Sequence, residues 1–212
     1  MKDFFQKTRT PDKSAPLKLK IIITVIISIC GFLLGIFQKY IDSVGFDSLP
    51  LIFQKLDIVN FFGRFAVWIL IASAISVYAK TPLRASVNTF FFLTSMVLGY
   101  YLYCNFILGF LPVRYMTIWF AFSVASFFLG YVCWYAKGNG ILSIIISAAI
   151  LGVLFSQAFL ITQGFYVTHL TEVIVWLAGV IMLYRKPKEF ALELVLSVAV
   201  AFVYQLIIPY WG

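Results

Sequence analysis

Three formally charged residues interrupt the apolar stretches of this chain: Arg64, Glu172 and Glu193. A charged side chain at the centre of a bilayer costs at least ~2.5–3.5 kcal/mol, so such residues usually face a bundle interior or a polar cavity. The hydropathy pattern puts Arg64 and Glu172 about one helical turn, roughly 5–8 Å, below the same membrane surface. We therefore predict that the two side chains pair or line one polar pocket. In the alternative interpretation Arg64 extends to the headgroups and Glu172 is partly hydrated.

Other polar and aromatic side chains fall at a similar depth and complete the candidate ligand-binding set. Its further members are Tyr100, Tyr101, Asn105, Gln157, His169 and Trp176. His169 and Trp176 lie about one turn on either side of Glu172, so the three share a helix face. The pattern favours an outward-opening pocket that binds and moves a small molecule, with Arg64 anchoring an anionic group or pairing with Glu172. Interfacial aromatic belts are a second explanation for each tyrosine.

Glu193 lies near the opposite membrane boundary, one turn after Glu189. Solvation at the interface explains it in one interpretation, and a role in moving protons or cations explains it in the other.

The chain has few residues that could bind a metal or a cofactor or act as a nucleophile. The chain has one histidine, and Cys30, Cys104 and Cys133 lie in three different stretches without a C-x-x-C pair. Neither a zinc site nor a catalytic cysteine matches that spacing. We predict no metal, no cofactor and no enzymatic activity. An acid–base pair of His169 and Glu172 is the remaining enzyme hypothesis, and it lacks a nucleophile.

The elements that must position these residues follow from composition. The chain of 212 residues is 63% hydrophobic and 11% charged, whereas a globular domain averages about 25% charged residues. Only a bilayer accommodates so much apolar surface. Stretches long enough to cross it, at about 20 residues each, are 21–37, 61–79, 86–104, 115–135, 141–162, 167–184 and 190–208. The prediction is an all-α polytopic membrane bundle with about seven transmembrane helices.

Lysine and arginine counts set the predicted orientation. The first twenty residues and the loops on their side carry twelve such residues, against Lys39, Lys55 and Arg114 on the other side. The positive-inside rule then places the N-terminus in the cytoplasm and, with seven spans, the C-terminus at Gly212 outside. Residues 1–20 form a basic cytoplasmic segment, and residues 21–212 form a single transmembrane domain. The net charge of +8 reflects this asymmetry and attraction to anionic lipids, and no nucleic-acid partner is expected.

Small residues four positions apart indicate faces where helix backbones approach closely. The pairs are Gly31 and Gly35, Ser95 and Gly99, and Ala148 and Gly152. They serve internal packing or the docking of a partner subunit. The second use defines the alternative function, a membrane adaptor, immunity or sensor subunit that does not transport.

Four short runs carry a resemblance to known sequences: residues 60–68 (NFFGRFAVW), 80–85 (KTPLRA), 99–103 (GYYLY) and 133–138 (CWYAKG). They resemble a family of small multi-pass membrane proteins from Gram-positive bacteria, a domain of unknown function. The resemblance implies a location in the bacterial cytoplasmic membrane. It implies no activity and no catalytic residues.

Overall fold

The computed structural model describes residues 8–162 and 164–208, and this part of the chain is all-α apart from one short hairpin. Two predictions concern residues that lie outside the described part of the chain. They are the external position of the C-terminus at Gly212 and the first seven residues of the segment 1–20. The helices are α1 (Leu17–Ser43), α2 (Leu51–Lys55), α3 (Ile58–Gly63), α4 (Phe65–Val77), α5 (Pro82–Phe106), α6 (Val113–Cys133), α7 (Ile141–Ala158), α8 (Leu170–Leu183) and α9 (Pro187–Ile207). Strands β1 (Phe159–Leu160) and β2 (Tyr166–Val167) pair antiparallel between α7 and α8.

Five of the described helices are long and apolar enough to cross a membrane: α1, α5, α6, α7 and α9. The other two predicted stretches, 61–79 and 167–184, form the shorter apolar helices α4 and α8, of 13 and 14 residues. At 1.5 Å per residue each extends about 20 Å, less than the ~30 Å of a hydrocarbon core. The backbone at Arg64 is extended, so α4 begins only at Phe65. The β hairpin includes the first residue of the stretch 167–184, so α8 begins after it. This apolar bundle is compatible with an integral membrane protein in contact with a lipid bilayer.

Glycines allow α1 to lie directly against α5. A Cβ atom added at Gly31, Gly35 or Gly99 would overlap a backbone carbonyl oxygen of the other helix. Gly152 of α7 faces α9 in the same way, since an added Cβ would lie 2.7 Å from the Ser197 carbonyl oxygen. Ala148, one turn earlier, is buried, and Ser95 is half-buried. The glycines of the predicted small-residue faces are therefore covered within the chain.

Helix α4 lies at the centre of the bundle and contacts α5, α6, α7 and α8. Its Ala66, Val67 and Trp68 are buried in the main apolar core, together with Leu151 and Leu154 of α7. The side chains that begin α4 are consequently placed between the surrounding helices.

The segment before α1 is docked on the loops at one end of the bundle. The Asp12 amide donates to the Lys80 carbonyl at 2.9 Å, and the Asn139 amide donates to the Thr8 carbonyl at 2.7 Å. The guanidinium of Arg9 lies over the Trp134 ring. We call this the basic end, after Lys80, Lys137 and Arg185 in its loops, and the opposite end the Arg64 end. Helix α1 begins at Leu17, so its first turn lies within the predicted segment 1–20.

Candidate functional site

An ion pair joins the starts of the two short helices. Arg64 is the N-cap of α4, and Glu172 lies in the first turn of α8. The Arg64 Nε atom donates to Glu172 Oε1 at 2.5 Å, and its other nitrogens donate to Asp57 Oδ2 at 3.0 Å and Thr171 Oγ1 at 3.1 Å. The Arg64 side chain is 13% exposed and that of Glu172 is 1% exposed. The guanidinium is thus occupied by protein partners, and Glu172 Oε2 is buried without a hydrogen-bond partner among the described residues.

A separate pocket of about 120 Å³ lies at the Arg64 end, beside α1, α3, α4, α5 and α6. We call it the aromatic pocket. It is lined by Gln38, Asp42, Val59, Gly63, Trp68, Met96, Val97, Tyr100, Tyr101, Tyr115 and Trp119. The Lys39 ammonium is 2.6 Å from Asp42 Oδ2, and the Tyr100 hydroxyl donates to the same oxygen at 3.3 Å. The Tyr101 hydroxyl is buried and has no hydrogen-bond partner among the residues that the structure describes. The pocket therefore combines aromatic walls, a neutralised carboxylate and one unused hydroxyl.

A larger cavity of about 460 Å³ lies between α4, α5, α6 and α7. We call it the apolar cavity. Most of its walls are aliphatic and aromatic, and several of its hydroxyls are bonded within their own helices. Ser76 donates to the Ala72 carbonyl, Ser123 to that of Trp119, and Ser126 to that of Ser123. These hydroxyls are already satisfied, so the cavity favours apolar contents.

The aromatic pocket and the apolar cavity share four lining residues, Trp68, Met96, Val97 and Trp119. Trp68 is fixed by a hydrogen bond from its Nε1 to the Phe62 carbonyl at 2.9 Å. Trp119 stacks on Phe65 with ring centroids 5.4 Å apart. The two spaces adjoin at this aromatic boundary, so one molecule with a polar end and an apolar body can contact both.

The predicted ligand-binding residues lie in three different places. Tyr100 and Tyr101 line the aromatic pocket. Arg64 and Glu172 form the ion pair, and neither lines the aromatic pocket or the apolar cavity. Depth along the helices predicted that these residues lie at one level, but depth does not tell which way each side chain faces. Helix α8 packs against α4 and α7, and it therefore lies away from the wall formed by α1, α5 and α6.

The remaining predicted residues lie outside both cavities as well. Asn105 is exposed in the last turn of α5. The backbone carbonyl of Gln157 accepts a hydrogen bond from Thr168 Oγ1 at 2.6 Å, and His169 is the N-cap of α8. Trp176 packs against Phe155 and Phe159, with ring centroids 5.6 and 5.3 Å away. These contacts belong to the junction of α7, the hairpin and α8.

Sequence reasoning missed several pocket residues. Gln38 and Asp42 end α1 and share one face, because they are four positions apart. That polar pair at the end of an apolar run was the available signal. Trp68 and Trp119 gave none, since an aromatic side chain in an apolar stretch looks the same whether it faces lipid or a cavity.

A second buried ion pair lies at the basic end. Arg185 Nε is 2.7 Å from Glu193 Oε2. The same guanidinium donates to the Ala136 carbonyl and to Ser147 Oγ, both at 2.6 Å, and to Ser143 Oγ at 3.1 Å. Glu193 has no exposed surface, so the interpretation in which it is solvated at the interface is wrong for this structure. The pair ties α9 to α7 and to the turn before it.

Among the described residues no group of three or more histidine, cysteine, aspartate or glutamate side chains is placed to hold a metal ion. In comparisons with known proteins, no protein-family model, no curated protein and no solved structure matches this chain.

Proposed function

We propose that this protein binds a small molecule in the aromatic pocket and the adjoining apolar cavity, and moves that molecule through the membrane. The observation that carries the proposal is the shared boundary of the two spaces at Trp68, Met96, Val97 and Trp119. Ligand sites are commonly 300–1,000 Å³ in volume, mostly apolar, and supplied with a few polar groups at one end. The cavity of about 460 Å³ falls in that range.

The extent of the apolar cavity supports movement as well as binding. Its lining on α6 runs from Trp119 to Cys133. At 1.5 Å per residue this is about 21 Å along the helix axis, a large part of the ~30 Å hydrocarbon core. A molecule in the cavity therefore has a continuous apolar wall along most of one crossing. The proposal includes no chemical step and no cofactor.

This proposal keeps one of the two roles that the sequence predicts for Arg64, the pairing with Glu172. Its guanidinium is engaged by Glu172, Asp57 and Thr171, so it holds helices together and does not anchor an anionic ligand. The contacts to the ligand come from Tyr101, Tyr115, Trp68 and Trp119.

The proposed setting is the bacterial cytoplasmic membrane, with the basic end in the cytoplasm and the Arg64 end outside. The excess of lysine and arginine at the basic end supports this orientation, and the resemblance to small Gram-positive membrane proteins supports the setting. Reporter fusions test the orientation. Green fluorescent protein inserted after Lys137 should fluoresce, and alkaline phosphatase inserted after Lys55 should be active. The reverse pattern contradicts the orientation.

Mass spectrometry of the intact protein tests the binding. Protein released from detergent should retain a bound small molecule, which Ala72→Phe should displace because Ala72 lines the apolar cavity. The matched control is Ala121→Phe, an equal substitution at an exposed position of α6 that lines neither space. Equal bound mass in the two variants, or none in the wild type, contradicts the proposal.

The alternative function, docking of a partner subunit on the small-residue faces, is less well supported. Gly31 and Gly35 lie against α5, and Gly152 lies against α9. A partner helix would have to displace these neighbours before it could use the same faces.

A further inference from the structure

We infer that the bound molecule is an uncharged amphiphile with a single hydrocarbon tail, which reaches the site sideways from the bilayer. This inference rests on the proposed function and names its ligand class. Three features carry it: the side opening of the apolar cavity, the volumes of the two spaces, and the charge balance of the aromatic pocket.

The side opening lies between α6 and α7, which contact each other sparsely. Cavity-lining residues on both helices are exposed at this gap: Phe122, Leu129 and Val132 on α6, and Ile145 on α7. In a bilayer these apolar side chains face acyl chains. A membrane-dissolved tail can therefore pass between α6 and α7 without leaving hydrocarbon.

The volumes of the two spaces match a ligand with one tail. At ~30 Å³ for a water-sized group, the cavity of about 460 Å³ holds roughly 15 non-hydrogen atoms. The aromatic pocket of about 120 Å³ holds roughly four more by the same measure. A chain of about a dozen carbons with a small head fits this space.

The aromatic pocket favours an uncharged head. Its carboxylate, Asp42, is paired with Lys39, so an added anion or cation would meet a like charge nearby without gaining a free partner. The buried Tyr101 hydroxyl lacks a partner among the described residues. A hydroxyl or carbonyl head can supply that hydrogen bond, and the indole rings of Trp68 and Trp119 can cover the first carbons of the tail.

Tryptophan quenching tests the inference, because Trp68 and Trp119 lie where the two spaces adjoin. The protein is placed in phosphatidylcholine nanodiscs and titrated with 2-bromododecan-1-ol, 2-bromododecanoate or 2-bromododecyltrimethylammonium, whose bromine lies next to the head, each compared at equal membrane mole fraction. The alcohol should quench at least tenfold more strongly than either charged probe. The effect should disappear in the Trp68→Phe/Trp119→Phe variant.

Substitutions at the opening and at the head position test the route and the contact. Ala149→Phe at the mouth of the cavity should weaken quenching by the alcohol at least tenfold, and Ala121→Phe should leave it unchanged. Tyr101→Phe should weaken it roughly two- to tenfold, the effect of one net hydrogen bond.

Several results would overturn the inference. Equal quenching by a charged probe refutes the uncharged head, and equal effects of Ala149→Phe and Ala121→Phe refute access between α6 and α7. Equal quenching by brominated phosphatidylcholine shows that the gap holds only bulk lipid chains. Suppose that the alcohol does not quench, but the wild type still retains a bound molecule that Ala72→Phe removes. The proposed function then stands, and this inference is wrong. If the alcohol does not quench and the wild type retains no bound molecule, the proposed function and this inference are both wrong.

Discussion

Arg64 and Glu172 are 108 positions apart in the chain, yet Arg64 Nε lies 2.5 Å from Glu172 Oε1. The contact fastens the start of α4 to the start of α8, and the hydrogen bonds to Asp57 and Thr171 extend it. Both ionised side chains are largely withdrawn from solvent, so each depends on the other for its stability in the bundle.

Arg64→Ala should reduce the free energy of unfolding by about 3–5 kcal/mol, because it leaves the Glu172 carboxylate buried and unpaired. Equilibrium unfolding in mixed detergent micelles measures the change. The control is Arg114→Ala, which removes an exposed arginine and should have little effect. The double variant Arg64→Ala/Glu172→Ala should lose less than the sum of the two single variants, and a strictly additive loss would mean that the pair is not coupled.

Gly35→Ala should separate α1 from α5, since an added Cβ at this position overlaps the Met96 carbonyl oxygen. Overpacking of this kind costs typically about 1–3 kcal/mol, and thermal unfolding of the purified protein reports it. Gly45→Ala is the matched control, because its Cβ would lie 3.7 Å from Ser48 Oγ, an ordinary contact. Equal melting temperatures for the two variants would refute close packing at Gly35.

Glu193→Ala should destabilise the protein by about 3–5 kcal/mol, the usual cost of breaking a buried ion pair by removing one partner. Arg185 would keep its hydrogen bonds to Ala136 and Ser147 but lose its carboxylate. Glu189→Ala, one turn earlier on α9, removes a carboxylate that forms no ion pair with a described residue. The resistance of the folded protein to protease should fall in Glu193→Ala and stay unchanged in Glu189→Ala.

The docked segment before α1 should respond to acid through Asp12. Hydrogen bonds from Ser14 hold the pKa of the Asp12 carboxyl well below its usual range, and Lys80 lowers it further. A pKa depressed in the folded state gives stability that is present above the ordinary value of about 3.9 and is lost as the pH falls through the folded value. The Asn139 amide, which donates to Thr8, should therefore stay protected from hydrogen exchange at pH 4.

Replacement of Asp12 should mimic that loss at neutral pH. Asp12→Asn should speed exchange of the Asn139 amide severalfold, whereas Asp47→Asn, at an exposed turn near the end of α1, should not. Unchanged exchange in Asp12→Asn would show that the carboxylate does not hold the segment in place.

The positions of the apolar helices were predictable from hydropathy, because the physical requirement is a long run without charge. Their lengths were only partly predictable. The start of α4 is set by Arg64, whose backbone is extended and whose side chain finds Glu172 across the bundle. That partner is distant in sequence. Phe159 and Leu160, near the end of the apolar run 141–162, pair with Val167 and Tyr166 at the start of the run 167–184 and just before it, instead of continuing a helix.

The sequence indicated how far along each helix the candidate site residues lie, but not which way their side chains face. Tyr100 and Tyr101 line the aromatic pocket, but the predicted set did not include Trp68 and Trp119, the tryptophans that line both spaces. Hydropathy treats an indole ring that faces lipid and one that faces a cavity alike. Only the packing of α4 among its four neighbours distinguishes the two cases.

The brevity of α8 has a consequence for the surrounding lipid. Its outer face exposes Leu170, Ile174, Leu177 and Ile181, but its 14 residues provide only about 21 Å of apolar height. Hydrophobic mismatch of this size draws neighbouring headgroups inward, and exposed Phe165 and Tyr166 of the hairpin are side chains that suit an interface. In a bilayer we therefore expect thinning beside α8 and a local preference for lipids with shorter acyl chains.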